Sequence, residues 1–346
     1  MKEIPIQNIY YLLCYAWDKL EERDLIAVHA QKFKDLPNLF ARVLISGLRL
    51  LFKRGLDRSY RSSVEECHGI KGKLQLMESI KRNSLAMARA YCAYDELTHN
   101  VLQNQLLKAT IHQLLRYPEL DERNYNLLRP LHQQFHDVDD IRITSHDFSK
   151  VVLHRNNSFY KFLLNVAQVL HENLLFNETR GEWVFRDFVR DEEKMAALFE
   201  KFIYNFYRHE VGNRYTVASE YITWQAVPVG DSSLDFLPKM KTDVTLTDAK
   251  RKLVIDAKYY KDAMVSRYDQ EKFRSAHFFQ VHAYVSNLLN DANADRVVEG
   301  VLLYPTVTTD FDQTFQVRGQ TISFRTIDLR KPWHELESDL LHRIIR

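Results

Sequence analysis

The sequence predicts an α/β protein in two parts, with a mixed helical and β N-terminal domain and a C-terminal domain built on a mixed sheet flanked by helices. Three observations carry that prediction. At 346 residues the chain exceeds the roughly 100–200 residues that a single core usually serves. Hydrophobic residues at 45% and charged residues at 27% are ordinary globular proportions, too apolar for disorder. Toward the C-terminus, β-prone runs at 215–224, 241–246, 253–257, 297–304 and 321–327 surround a single helical stretch at 271–289, the pattern of a mixed sheet with helices packed on it.

After Asn8, a candidate N-cap, large apolar residues recur at helical spacing from Ile9 to Trp17, which predicts a buried helix whose aromatics are core. A second helix is predicted over 36–52 and closed by Lys53-Arg54-Gly55. From 57 to 93 the pattern turns to short β-prone pieces broken by Gly69 and Gly72, which predicts strands projecting from a helical frame. Helical character returns over 100–117, and Pro118 and Pro130 punctuate the stretch after it. Residues 146–157 are polar and aperiodic, so the boundary is placed near 150, giving domains 1–150 and 151–346. Residues 159–175 and 192–209 then read as helices, with 183–189 extended between them.

Lysine plus arginine, 48, nearly balances aspartate plus glutamate, 46, so net charge gives no global pull toward nucleic acid and any such binding must be local. Cys14, Cys67 and Cys92 form no CxxC pair, and an odd number suits a reducing compartment. The first residues lack an apolar leader and no apolar run approaches about 18 residues. A cytoplasmic protein with no membrane partner is expected.

The chemistry concentrates in Leu237-Pro238-Lys239-Met240-Lys241-Thr242-Asp243 and in Leu253-Val254-Ile255-Asp256-Ala257-Lys258-Tyr259-Tyr260-Lys261. The apolar run 253–255 suits a central strand, yet it ends in two charged residues, and buried charge is costly unless paired or metal-bound. Alternation along a strand puts Asp256 and Lys258 on one face, and a turn over 247–251 brings Asp243 alongside. Two carboxylates at a sheet end suit Mg²⁺, which keeps several waters and also binds substrate phosphate. Lys258 can position or help deprotonate an attacking water and offset phosphate charge. Gln280 and Tyr284 share a helix face; they either touch the phosphate or the lysine, as such a pair does beside the catalytic strand in many nucleases of this architecture, or serve as plain packing for Tyr284 with Gln280 facing solvent. Glu200, on the helix before the first of these strands, is either a further carboxylate for the metal or a charged position on an amphipathic helix.

Lys261, Arg267, Lys272 and Arg274 lie just past the catalytic strand and are candidates for phosphate positioning. The Lys71, Lys73, Lys81, Arg82 cluster suits phosphate, acidic partner surfaces or solvent. Fourteen histidines, among them His68, His99, His112, His132 and His136, show no zinc-ligand spacing. No GxxxxGK[ST] phosphate cradle is present.

Further blocks include Asn8-Ile9-Tyr10-Tyr11-Leu12-Leu13 with Tyr15-Ala16-Trp17, Gly69-Ile70-Lys71-Gly72-Lys73, Tyr160-Lys161-Phe162, Arg186-Asp187-Phe188 and Leu303-Tyr304-Pro305. Together with 254–261 they make the sequence resemble the McrC family, the endonuclease subunits of McrBC 5-methylcytosine-dependent restriction systems, over nearly the whole chain. The resemblance implies a C-terminal PD-(D/E)xK nuclease domain with Asp243, Asp256 and Lys258 as its matched residues, Thr242 standing where the motif's name has proline. It implies a type IV restriction endodeoxyribonuclease that uses Mg²⁺ held by Asp243 and Asp256. It also implies an N-terminal domain that docks in a hexameric McrB-like AAA+ GTPase and stimulates it. That partner binds the GTP and reads double-stranded DNA containing modified cytosine, and a second copy of the complex meets the first for double-strand cleavage. The alternatives are a non-catalytic adaptor that activates an AAA+ ring, and a stand-alone repair nuclease.

Overall fold

Two apolar cores divide the chain. The computed structural model describes residues 4–20, 33–153, 158–177, 182–259, 264–267, 270–289, 293, 295–306 and 310–346. The described residues 33–186 form one unit, and the first helix joins everything from Asp187 onward in the other.

This division departs from the expected boundary near 150 at both ends. Residues expected to be a linker contain a helix, Ser145–Lys150, started by a capping box between Thr144 and Asp147, which satisfies two otherwise orphaned donors. The next helix, Ser158–Asn173, buries Phe162, Leu163, Val166 and Leu170 against Leu36–Arg54 and Leu102–Leu115. It belongs to that core and not to the sheet unit. At the other end, helix Ile6–Ala16 packs on helix Glu192–Glu210. Tyr10 and Tyr15 are wholly buried, the Tyr15 hydroxyl donates to Glu210 Oε1 at 2.7 Å, and its ring stacks on Trp333 at 5.6 Å. Aromatic bodies with a satisfied polar tip make this helix core. Asn8 is not its N-cap. Pro5 holds that position, and the buried Asn8 amide donates to the carbonyls of Leu329 at 2.7 Å and Lys331 at 2.8 Å, tying the helix to the C-terminal segment.

In the unit spanning 33–186, helix Leu36–Arg54 starts on Asp35, whose side chain accepts the Asn38 N–H, and ends at Gly55 with φ 92°, a left-handed stop that favours glycine. The helix predicted over 100–117 spans Leu102–Leu115. Pro130 lies inside helix Glu122–Gln133 instead of ending it. The strand region predicted over 57–93 is a small antiparallel sheet in which Ala90–Thr98 pairs with both Ser59–Cys67 and Lys73–Leu74, with helix Leu76–Lys81 beside it. Ser59–Cys67 is exposed along most of its length on both faces. Ile70, Met77 and Met87 stand 74%, 70% and 73% exposed, with Tyr60 and Ile80 similarly open. Among the nearby cations, Lys71 lies over the Tyr94 ring and Arg82 pairs with Glu78.

In the sheet unit, six strands among the described residues make a mixed sheet in the order Asp312–Val317, Gln320–Ile327, Val297–Pro305, Arg251–Ala257, Val244–Thr247, Thr216–Ala218. Val297–Pro305 runs parallel to both its neighbours, and the other pairings are antiparallel. All the strands predicted for the sheet unit occur. The run predicted over 215–224 is split into Thr216–Ala218 and Tyr221–Ile222. The edge strand Asp312–Val317 escaped prediction because its faces are polar and largely exposed. The helix predicted from 271 begins at Ser275, and residues 270–273 instead form a hairpin with Met264–Arg267. Helix Ser275–Leu288 lies close on the sheet because Gly300 leaves room: a Cβ there would sit 2.4 Å from Val281 Cγ1. Val281, Tyr284, Val285 and Leu288 thereby join Val254, Leu302 and Ile322 in one core. Among the described residues no helix is long and apolar enough to cross a membrane.

Candidate active site

Asp243 sits where the chain changes partners. Met240–Lys241 pairs with Tyr221–Ile222, whereas Val244–Thr247 joins the main sheet. The two residues between are pinned by Thr242. Its N–H donates to the Glu220 carbonyl at 2.9 Å, its hydroxyl oxygen accepts the Glu220 N–H at 2.9 Å, and its carbonyl accepts the Ser219 hydroxyl at 2.6 Å. Backbone groups orphaned by the break are thus satisfied.

The register Ile255↔Val244, continued one step, sets Asp243 opposite Asp256. Asp243 Oδ2 accepts the Ala257 N–H at 2.8 Å, taking the place of a ladder carbonyl. On the other side Asp256 is level with Leu302 in the parallel pair, and the Lys258 N–H donates to the Leu303 carbonyl at 2.9 Å. As alternation requires, Lys258 returns to the face of Asp256, with Nζ 2.9 Å from Oδ2.

Burial makes this cluster unusual. The Asp256 side chain is 0% exposed. Apart from that close ion pair on Oδ2, neither of its oxygens has a well-formed hydrogen bond among the described residues, and Oδ1 has no partner of any kind. Burial pushes the Asp243 carboxyl up to about 7, Asp256 and Glu200 add to the rise, and Lys258 opposes it. Asp256 is raised too, by burial first, against the pull of Lys258. Burial alone would lower the Lys258 ammonium, but Asp256 and Asp243 outweigh it and hold it above its ordinary range. Two carboxylates and one ammonium out of water leave an excess of negative charge.

Gln280 and Tyr284 share a helix face, as their spacing predicts. The Gln280 amide donates to the Tyr284 hydroxyl at 2.7 Å, and that hydroxyl donates to the Lys241 carbonyl at 2.8 Å. Tyr284 thereby locks the helix to the strand leading into Asp243, and Gln280 adjoins the cluster through Tyr284. Exposed Glu200 acts on both aspartates electrostatically. Of the proposed phosphate contacts, Arg274 lies just before helix Ser275–Leu288. Arg267 and Lys272 lie on the preceding hairpin, where only their backbone is described, and Lys261 is outside the described residues.

Sequence reasoning missed two supports. His277 is buried with Nδ1 3.0 Å from the Tyr304 hydroxyl, and burial, then Lys258 and Arg274, push it down to about 4. The Thr242–Glu220 clamp joins residues 22 apart, with no local signal to announce it. Among the described residues no group of three or more His, Cys, Asp or Glu side chains is gathered as a metal cage. The two aspartates instead suit a hard cation that completes its shell with water and substrate oxygens.

The chain has counterparts among known proteins in both sequence and fold. Residues 7–305 match the family described as "McrBC 5-methylcytosine restriction system component". The chain is 31% identical over 338 residues to the "Type IV methyl-directed restriction enzyme EcoKMcrBC" of Escherichia coli (strain K12), covering 98% of this chain and 96% of that protein. Its fold is similar, with a TM-score of 0.61 at 17% identity, to a chain in the refined half-complex from a tetradecameric assembly of Thermococcus gammatolerans McrB AAA+ hexamers with bound McrC, covering 97% of this chain and 74% of that one. The chain belongs to the family of McrBC 5-methylcytosine restriction system components.

Proposed function

We propose that the chain is the Mg²⁺-dependent endonuclease subunit of a modification-dependent restriction complex acting in the cytoplasm, with Asp243, Asp256 and Lys258 forming a PD-(D/E)xK site. The observation that carries this reading is the fully buried Asp256 carboxylate, unpartnered at Oδ1 among the described residues and set beside a second raised carboxylate. An anionic pair of this kind destabilises an isolated fold, and a divalent cation relieves it. The donor set fits Mg²⁺, which Asp243 and Asp256 would hold.

When bound, the ion polarises the scissile phosphodiester and lowers the pKa of a water. Asp256 is the deeper anchor, and Asp243 is oriented by the Ala257 N–H. Lys258 stands with its ammonium on the cluster face, where it offsets charge gathering on the phosphate and orients the nucleophilic water. Tyr284 and Gln280 keep the Asp243 strand in place and line the phosphate's approach. Glu200 adds negative field that favours cation entry. Lys261, Arg267, Lys272 and Arg274 hold the neighbouring DNA phosphates.

The exposed apolar sheet around Ile70, Met77 and Met87 serves as the docking surface for a hexameric AAA+ GTPase. The Thermococcus gammatolerans assembly of McrB AAA+ hexamers with bound McrC supports a partner of that kind. The partner binds GTP, reads 5-methylcytosine in double-stranded DNA and is stimulated by this chain, and two complexes meet for double-strand cleavage. Incubating the chain with its cognate GTPase, methylated DNA, GTP and Mg²⁺ tests the reading. Strand breaks that need all components are expected. GTPase stimulation without breaks would establish an adaptor instead, and breaks without the partner a stand-alone nuclease.

A further inference from the structure

The unit spanning 33–186 holds a group of arginines whose charges are not balanced. Helix Leu36–Arg54 carries Arg42 and Arg49, seven residues and two turns apart and so on one face. Arg123 lies in the first turn of helix Glu122–Gln133, which packs on that helix. The three line an open cleft of about 520 Å³ together with Glu122 and Asn126. Arg42 Nε is buried in its wall with no hydrogen-bond acceptor. Among the described residues, none of the three guanidinium groups has an ion-pair partner. Several arginines elsewhere are paired with carboxylates: Arg82 with Glu78, Arg251 with Glu299, Arg325 with Asp312 and Arg330 with Asp328.

Such an arrangement is unfavourable by itself. A buried N–H without an acceptor is costly, and more so when charged, and like charges across a cleft repel. Burial, then Arg123 and Arg49, hold the Arg42 guanidinium below its ordinary range, with Asp121 opposing. What the cleft lacks is an anion with several acceptor oxygens spread in space. One carboxylate satisfies one guanidinium fork, whereas a phosphate offers oxygens to two or three forks at once.

We propose that the cleft formed by Arg42, Arg49 and Arg123 is a binding site for a phosphate group, carried either by a DNA backbone or by a nucleotide. The site is independent of the nuclease reading, because it lies in the other unit and is tested by binding alone.

The test uses the full chain and three probes: inorganic phosphate, GDP and an unmethylated 20-base-pair duplex. Titration calorimetry and thermal shift with phosphate come first, on wild type, Arg42→Gln and Arg123→Gln. Phosphate is expected to raise the wild-type melting temperature, and each substitution to weaken its binding about tenfold or more. Arg123 is exposed, so Arg123→Gln keeps the test valid should Arg42→Gln fold poorly. If the natural source is DNA, duplex affinity falls in the same variants and the salt slope drops by about 1 for each arginine lost. If it is a nucleotide, GDP competes with phosphate and the duplex is unaffected. Failure of wild type to bind phosphate, or variants that bind it unchanged, would overturn the proposal.

Discussion

The two sheets of this protein depart from ordinary protein surfaces in opposite directions. In the main sheet, strand Arg251–Ala257 is buried almost throughout and carries a carboxylate with it. In the small sheet, strand Ser59–Cys67 is exposed almost throughout, and the apolar side chains of Ile70, Met77 and Met87 nearby stand in solvent. One region places charge where water is absent, and the other places hydrocarbon where water is abundant. Each is costly in an isolated chain, and under the proposed function each is relieved by a different class of ligand: a cation with a phosphodiester for the first, an apolar protein surface for the second. A single chain can therefore carry cutting and docking as separable functions, and separability is what experiment can break.

The largest effect belongs to the buried end of the comparison. Asp256→Ala should lower cleavage by the assembled complex at least about 10²–10³-fold, the scale of losing one preorganised group in a water-poor site, while GTPase stimulation stays at the wild-type level. Strand breaks at undiminished rate, measured on methylated plasmid, would remove Asp256 from the site. The next effect belongs to the exposed end. Ile70→Glu combined with Met77→Glu should weaken GTPase stimulation about 30-fold, as loss of roughly 2 kcal/mol at an interface anchor does, and leave unaltered the shift in melting temperature that Mg²⁺ produces. Stimulation that persists would move docking to another surface.

A smaller effect falls on the break that presents Asp243. Thr242→Val keeps the shape but removes the oxygen that accepts the Glu220 N–H at 2.9 Å, leaving that donor unsatisfied beside a side chain that is 1% exposed. Stability should fall by about 1–3 kcal/mol, read by urea unfolding. Thr242→Pro should cost more, because the N–H that reaches the Glu220 carbonyl is lost as well. Equal stability of wild type and both variants would show that the clamp is not what fixes the turn.

How much of the molecule was legible in the sequence depended on how local the signal was. Asp243, Asp256 and Lys258 could be grouped because a hairpin register and strand alternation are short-range rules, and both hold in the structure. The helix pairing of Gln280 with Tyr284 was legible for the same reason. The unit boundary was not. Whether Ser158–Asn173 packs backward or forward depends on which core receives Phe162 and Leu163, and helical periodicity is the same in either case. The first helix joining the distant unit through Tyr15 and Glu210, 195 residues apart, was likewise beyond local pattern. Asn8 looked like a cap because Asn before an apolar run usually is one; tertiary demand for a buried amide at Leu329 and Lys331 prevailed over that preference.

The smallest effect sets the two ends of the comparison against each other by pH. Asp243 is raised from 3.8 to about 7 by burial and by Asp256, so in the absence of Mg²⁺ the folded chain holds a proton that the unfolded chain has already released between those values. Its contribution to stability is complete below about 4 and is lost as pH rises through about 7. In EDTA, wild type should therefore lose melting temperature relative to Asp243→Asn between about pH 4 and 7 and level off above that, by roughly 2–4 °C for each kcal/mol involved. Adding Mg²⁺ should reverse the trend, because the cation competes with the proton and binds better as pH rises. The exposed sheet contributes nothing to this difference, so Ile70→Glu with Met77→Glu should keep the wild-type slope. A wild-type curve parallel to that of Asp243→Asn would mean that the two aspartates do not share a buried excess of charge, and the case for a cation between them would fall with it.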